Sequence, residues 1–413
     1  MDVLCCDALG FCIWLQTLLI KVQSNSPHEI SISIAIIKKF LNIPLQKTGH
    51  KALFLKQILV IPKEPLVLGS MFWLQQDLSS MPVPNMRVQA IYLATLVTNE
   101  PASSYGEIGL TGKAKVSQTE LKVGTLRPMN PVLVASPARL LPQTYRGISL
   151  ESKDIKNFEL QGAFIDKVNQ RDSTNYENIR ISAVNGRFKS AETNGLYYAG
   201  GYYNVSPALR LGLFYLDVNN LYDQMTTGFL YKWDINPQTR LSSYLHYYRS
   251  RDEGQAKAGL VDNDLYHAHF ELKRQNHKFI FGTFQHFGET AFPYLTGGET
   301  GLLIDTWPGE FLNPKEKAYS FRYEYDFKDY VPGLRFMTRY TMGRNIYAPN
   351  LGGTNLKERE TDFDIGYTIQ TGWLKNLALR ARYAIYDNNM LATANIKPVN
   401  ETRINIDYTW KFK

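Results

Sequence analysis

Residues 401–412 read Glu-Thr-Arg-Ile-Asn-Ile-Asp-Tyr-Thr-Trp-Lys-Phe, and their alternation decides the fold. One face is Ile404, Ile406, Tyr408, Trp410 and Phe412; the other is Arg403, Asn405, Asp407, Thr409 and Lys411. Side chains alternate faces along a strand, so this segment has one apolar, aromatic side and one charged side. A soluble sandwich also alternates, but its final strand rarely carries so many aromatics on one face. In a bacterial outer-membrane barrel the pattern is expected, with lipid and an aromatic girdle outside and water inside.

The same period of two recurs upstream. Tyr319, Phe321, Tyr323, Tyr325 and Phe327 oppose Ser320, Arg322, Glu324 and Asp326. Leu334, Phe336, Thr338, Tyr340 and Met342 oppose Arg335, Met337, Arg339 and Thr341. Phe363, Ile365 and Tyr367 oppose Asp362 and Asp364, and Leu379, Ala381 and Tyr383 oppose Arg380 and Arg382. Short connections such as 206–208 and 236–239 alternate with long ones such as 127–143, 166–194 and 288–317. Short periplasmic turns facing long outer loops are a barrel signature. The pattern predicts about fifteen strands: 105–112, 115–125, 144–152, 155–165, 195–204, 208–217, 223–234, 240–249, 265–274, 278–287, 318–327, 334–343, 361–371, 376–386 and 401–412. A single-chain bacterial barrel needs an even number, so the odd count implies missing strands.

The totals agree. The chain has 413 residues, 13% of them aromatic and 20% charged, with no run of 18 apolar residues for a membrane helix. The net charge of +8 has no helical cluster of Lys and Arg behind it, so nucleic acid is not an expected partner. The only cysteines are Cys5, Cys6 and Cys12, without metal-ligand spacing, and the Cys-free remainder suits an exported protein.

The chain changes character near residue 104. One tyrosine, Tyr92, precedes that point and 25 follow. The apolar stretch Ala8 to Ile20 has Asp2 and Asp7 ahead of it and no basic residue, so it does not read as a secretory signal. Runs such as Ile32 to Ile37 and Leu53 to Ile61 show no sustained alternation.

Residues 105–413 resemble the OprD-type outer-membrane porins. The resemblance rests on Glu120-Leu-Lys-Val-Gly-Thr-Leu before a loop ending Arg139-Leu-Leu-Pro-Gln-Thr144, on Tyr248-Arg-Ser-Arg-Asp-Glu-Gly-Gln-Ala-Lys-Ala-Gly259, and on Leu377-Ala-Leu-Arg-Ala-Arg382 followed by Thr402-Arg-Ile-Asn-Ile-Asp-Tyr408. It implies an all-β, eighteen-stranded, monomeric transmembrane antiparallel β-barrel in a Gram-negative outer membrane. Its pore passes small solutes such as amino acids and carboxylates without a cofactor. Outer-membrane lipid and the barrel assembly machinery are the other expected partners. In that frame Tyr105 opens the fourth strand, and the signal peptide and first three strands are missing. Residues 1–104 then read as a poorly ordered, non-family segment from a misassigned start, a frameshift or an insertion, with a native N-terminal domain as the rival. A substitute edge strand from this segment has little support in its pattern, and a barrel lacking three strands is expected to conduct poorly.

The site residues expected are Arg380, Arg382 and Arg403, which alternation turns inward on the last two strands. Arginine stays charged and gives a carboxylate two parallel donors. The resemblance implies the same basic ladder. Alternatively, these arginines pair with Asp362, Asp364 or Asp407 and stiffen the wall. The resemblance also implies that loops 127–143 and 288–317 fold inward. Arg139, Glu299, Asp305 and Glu310 are then constriction residues, the acids meeting an ammonium group or merely being solvated. His246, His267 and His269 read as lumen lining, and no metal site is expected. No nucleophile stands beside a base, so an outer-membrane hydrolase is the weaker alternative.

Overall fold

A computed structural model of the chain describes residues 13–26, 29–41, 73–77, 105–136, 142–171, 173–303, 306–391 and 397–411. The three cysteines, Arg139 and Asp305 lie outside these residues.

The strands run in chain order. The first three are β1 (Ile13–Ser26), β2 (Glu29–Leu41) and β3 (Trp73–Asp77). Next, β4 consists of Tyr105–Gly109 and Thr111–Val116, interrupted only at Leu110. Then come β5 (Thr119–Leu126), β6 (Thr144–Ser152), β7 (Phe158–Asn169), β8 (Leu196–Asn204) and β9 (Leu209–Val218). They continue as β10 (Tyr222–Asn236), β11 (Thr239–Asp252), β12 (Asp262–Arg274) and β13 (His277–Phe287). The series ends with β14 (Lys317–Asp326), β15 (Leu334–Ala348), β16 (Gly353–Thr368), β17 (Leu377–Asn388) and β18 (Val399–Lys411).

Each strand from β4 to β18 pairs antiparallel with the next. The edge of β18 then pairs with β2, and β2 with β1. Strand β3 is hydrogen-bonded to β4 and lies beside β1.

The fifteen strands expected from Tyr105 are all present, and Tyr105 does open the fourth. The expectation that the first three strands are missing is corrected, because β1, β2 and β3 occupy those places. The physical reason lies at the edge of β18. A strand edge left open in lipid exposes a row of peptide groups, each costing several kcal/mol unsatisfied. The register pairs positions 30, 32, 34 and 36 with 410, 408, 406 and 404. The sequence at the first four is isoleucine throughout, alternating with Ser31, Ser33 and Ala35. The period of two was there, obscured by a short run with small residues on its other face.

Alternation also sorts the wall. Leu211, Leu213 and Tyr215 on β9 are exposed on the outside, while Phe214 between them and Leu216 beyond are buried. Phe321, at 55% exposure, and Ile365 repeat this on β14 and β16. A continuous belt of exposed apolar groups is a liability in water but is what lipid requires.

The buried apolar groups lie toward the loop end. Val132, Leu133, Ile179, Ile181 and Leu295 from the loops pack with Tyr145, Phe214 and Tyr222 from the wall. Phe292, Phe311 and Leu312 of the 288–317 loop pack with Tyr248, Leu265 and Phe284. The long loops therefore fill the lumen at their own end. At the other end two-residue turns such as Pro237–Gln238 close the hairpins.

Candidate functional site

The lumen wall of β14–β18 carries most of its charge in one band. Register places Arg322 opposite Arg339, Arg339 opposite Asp362, Asp364 opposite Arg382, and Arg382 opposite Arg403. All share the inward face, so the three arginines expected from the sequence are indeed neighbours.

They are also paired. Arg380 Nε donates to both Asp364 carboxylate oxygens, at 2.9 and 2.8 Å, and its Nη2 adds a third contact. Arg382 Nε lies 3.1 Å from Asp364 Oδ2. Two guanidiniums thus share one carboxylate, and both remain partly exposed to the lumen, at 42% and 30% for their side chains. Arg403 Nε donates to Glu401 Oε1 at 2.9 Å. Arg339 is deeper, with Nε 2.8 Å from Asp362 Oδ2 and Nη2 3.6 Å from Glu360 Oε1. Arg322 pairs with Glu324, which also holds Lys278 at 2.8 Å. The arginines are thus paired with acids, and Arg380 and Arg382 still keep part of their surface in the lumen.

The 288–317 loop crosses to this wall. The backbone N–H groups of Trp307 and Gly309 donate to the Glu360 carboxylate on β16. The Trp307 ring lies 3.5 Å from Arg403 Cζ on β18. Asn313 Nδ2 donates to Glu358 Oε1 at 2.7 Å and to Glu316 Oε2 at 2.9 Å. Glu316 comes so close to β15 that a Cβ on Gly343 would stand 1.7 Å from its Oε1. Burial, reinforced by the nearby Glu358 carboxylate, pushes the Glu316 carboxyl well above the usual carboxylate range.

The acids expected at the constriction join loops together. Glu310 pairs with Arg187 and accepts from the Tyr294 hydroxyl at 2.7 Å. Glu299 accepts from the Ser136 hydroxyl, and its N–H donates to Val134 O at 3.1 Å, joining the 288–317 loop to the 127–143 loop. The 127–143 and 288–317 loops thus meet, and the second reaches the basic wall through Trp307. His246, His267 and His269 lie on the inner face of β11 and β12. Among the described residues no group of three His, Cys, Asp or Glu is arranged to hold a metal ion.

Sequence reasoning passed over Arg322, Arg339, Glu360 and Trp307. The first two stood on recognised polar faces, and only the register places Arg322 opposite Arg339 and Arg339 opposite Asp362. Trp307 sits in an irregular loop whose local sequence does not disclose its distant partner.

Comparison with known proteins agrees with this geometry. Residues 85–412 match the family described as outer membrane porin, OprD family, a match beginning twenty residues ahead of Tyr105. Porin D of Pseudomonas aeruginosa is 27% identical over 338 residues, covering 76% of this chain and 75% of the relative. The porin-like protein GalP of Pseudomonas putida is 28% identical over 285 residues, covering 68% and 67%. The crystal structure of Acinetobacter baumannii OccAB2 is 65% identical, covers 98% of this chain and 92% of that one, and superposes with a TM-score of 0.74. That of OccAB3 from the same organism is 33% identical over 96% and 98% of the chains, with a TM-score of 0.75. The chain therefore belongs to the OprD family of outer membrane porins: it is a substrate-selective channel of the Gram-negative outer membrane, and not an enzyme.

Proposed function

We propose that this channel passes small solutes bearing a carboxylate, amino acids among them, along the wall formed by Arg380, Arg382 and Arg403. The supporting observation is that Arg380 and Arg382 share Asp364 and keep part of their surface in the lumen. A carboxylate about 4 Å from a guanidinium gains roughly 4 kcal/mol at an effective dielectric constant of about 20, before the opposing Asp364 charge is counted. Such partial compensation suits conduction, in which a solute must be held strongly enough to enter and weakly enough to leave. Arg403, with Trp307 against its face, stands where the loop narrows the path. Glu299 and Glu310 shape the constriction by joining its loops, with Arg139 and Asp305 as further constriction residues by sequence position.

The defective-channel expectation assumed an open edge on β18. That edge is paired along its length with β2, which favours a closed, conducting barrel inserted in lipid by the barrel assembly machinery. Planar-bilayer recordings test the reading. Replacing Arg380, Arg382 and Arg403 with alanine is expected to shift the reversal potential toward cations and to slow uptake of a carboxylate solute in liposome swelling. An unchanged selectivity in a barrel that still gives steady single-channel steps refutes the ladder role.

A further inference from the structure

The outer face of the wall carries a feature that conduction does not use. On β13–β16 the register builds rows across the strands. Phe281, Phe321, Tyr340 and Thr361 form one row, and Thr283, Tyr319, Met342 and Arg359 form the next. Nearest the loop end, Gln285, Lys317 and Arg344 complete a third. Lys317 and Arg344 are thus direct cross-strand partners with like charge, an arrangement that is destabilising by itself. Both are exposed, as are Lys357 and Arg359 beside them. The nearby acids are engaged elsewhere: Glu289 holds Lys315 at 2.9 Å and Asp387 holds Arg359 at 2.7 Å. Arg344 lies over the Tyr319 ring, 5.2 Å from its centroid. The register shifts just after Gly343, and a bulge of this kind re-aims the side chains around it.

Below this basic pair, extending from β12 to β15, is an apolar groove of about 460 Å³. It is lined by Phe270, Phe279, Phe281, Phe321, Tyr323 and Tyr340. Phe279 with Tyr323, and Phe281 with Phe321, keep ring centroids 5.1 Å apart. Phe321 and Lys317 are separated by four residues, roughly 13 Å along the strand and about 10 Å in height once the usual barrel tilt is allowed for. That height spans from within the hydrocarbon to the headgroup layer.

We propose that this is a lipid site. Its occupant is an acyl lipid of the loop-side leaflet whose headgroup carries phosphate. The phosphate lies between Lys317 and Arg344, where its charge offsets their repulsion and Arg344 supplies paired donors. An acyl chain fills the aromatic groove. Lys317 follows Glu316 directly, so the bound lipid braces the wall where the constriction loop returns to it.

Native mass spectrometry of the full chain in neutral detergent tests this, with diphosphoryl lipid A as the probe. The expected result is binding that weakens at least tenfold in the Lys317→Ser/Arg344→Ser variant and at least tenfold for dephosphorylated lipid A. Lys317→Arg is expected to retain binding. Arg274→Ser, which removes an exposed charge at the turn end of β12, is expected to leave it unchanged. Equal binding by the double variant, or an equal loss in Arg274→Ser, overturns the proposal. Displacement by inorganic phosphate at the lipid's own concentration also overturns it, since the site would then take free phosphate and not a lipid.

Discussion

Removing the Glu360 side chain should unlatch the constriction loop. Its carboxylate accepts the N–H groups of both Trp307 and Gly309 and lies entirely out of solvent. In Glu360→Ala both donors lose their acceptor. A buried donor left unsatisfied costs about 1–3 kcal/mol, so docking of the loop tip should weaken by about 2–6 kcal/mol. At 1.4 kcal/mol per decade this changes the undocked population roughly 30- to 20,000-fold. Glu360→Gln keeps one acceptor oxygen and should fall between alanine and wild type. Single-channel recording at fixed salt is the assay. Larger unit conductance and added open-channel flicker are expected, graded from alanine through glutamine to wild type. Loss of the carboxylate also leaves Arg339 with one acidic neighbour fewer, which raises anion selectivity by itself. Selectivity is therefore not the decisive readout; flicker and the passage of bulkier solutes are. Unchanged flicker and conductance in Glu360→Ala would refute the idea that these two hydrogen bonds hold the constriction.

Trp307→Ala removes the contact over Arg403, an interaction of about 0.5–2 kcal/mol; unit conductance should rise while the sign of ion selectivity stays the same, as bilayer recording would show. Gly343→Ala drives a methyl group into Glu316 and should destabilise the folded barrel by about 1–3 kcal/mol, read as a lower temperature for loss of the compact band on semi-native gels. The raised pKa of Glu316 makes loop docking depend on pH. The protonated form is favoured in the folded state, so this contribution is fully present below the ordinary value of 4.5 and is lost as pH rises through the elevated folded pKa. Flicker should therefore increase with pH in the wild type and much less in Glu316→Gln, measured across a pH series in the bilayer.

The wall was legible because lipid and water impose opposite demands on alternate residues. The reading of 401–412 came within two residues of β18 at its start and one at its end, and 318–327 came within one residue of β14 at each end. Strand β16 begins eight residues earlier than 361, at Gly353. Its first half rises among the loops, where no lipid face is required, and Glu358 and Glu360 there turn toward buried loop groups. The lumen face of Arg380, Arg382 and Arg403 followed from alternation alone. For their acidic partners alternation offered Asp362, Asp364 or Asp407 without choosing among them and passed over Glu401, because it gives a side and not a height; only the register puts Asp364 beside Arg382. The loop contacts were less accessible still. Arg187 meets Glu310 across 123 positions of sequence, and nothing local to either residue marks the other.

The pairing of β2 with β18 has a kinetic consequence. Glu29 stands opposite Lys411, more than 380 positions away along the chain. Bringing such distant ends together carries a loop-closure entropy of about 5 kcal/mol, beyond a constant, if the intervening chain is unstructured. Hairpins elsewhere in the wall join neighbours through a few residues and need little of this. The seam should therefore zip late, after consecutive hairpins have drawn its two sides together and reduced the effective loop. Until then both edges are templates for any other strand in reach. The register sets the isoleucine repeat of 30–36 against the apolar positions 404–410, and a slip of one residue would break that match, so the final seam is selected by register as well as by proximity.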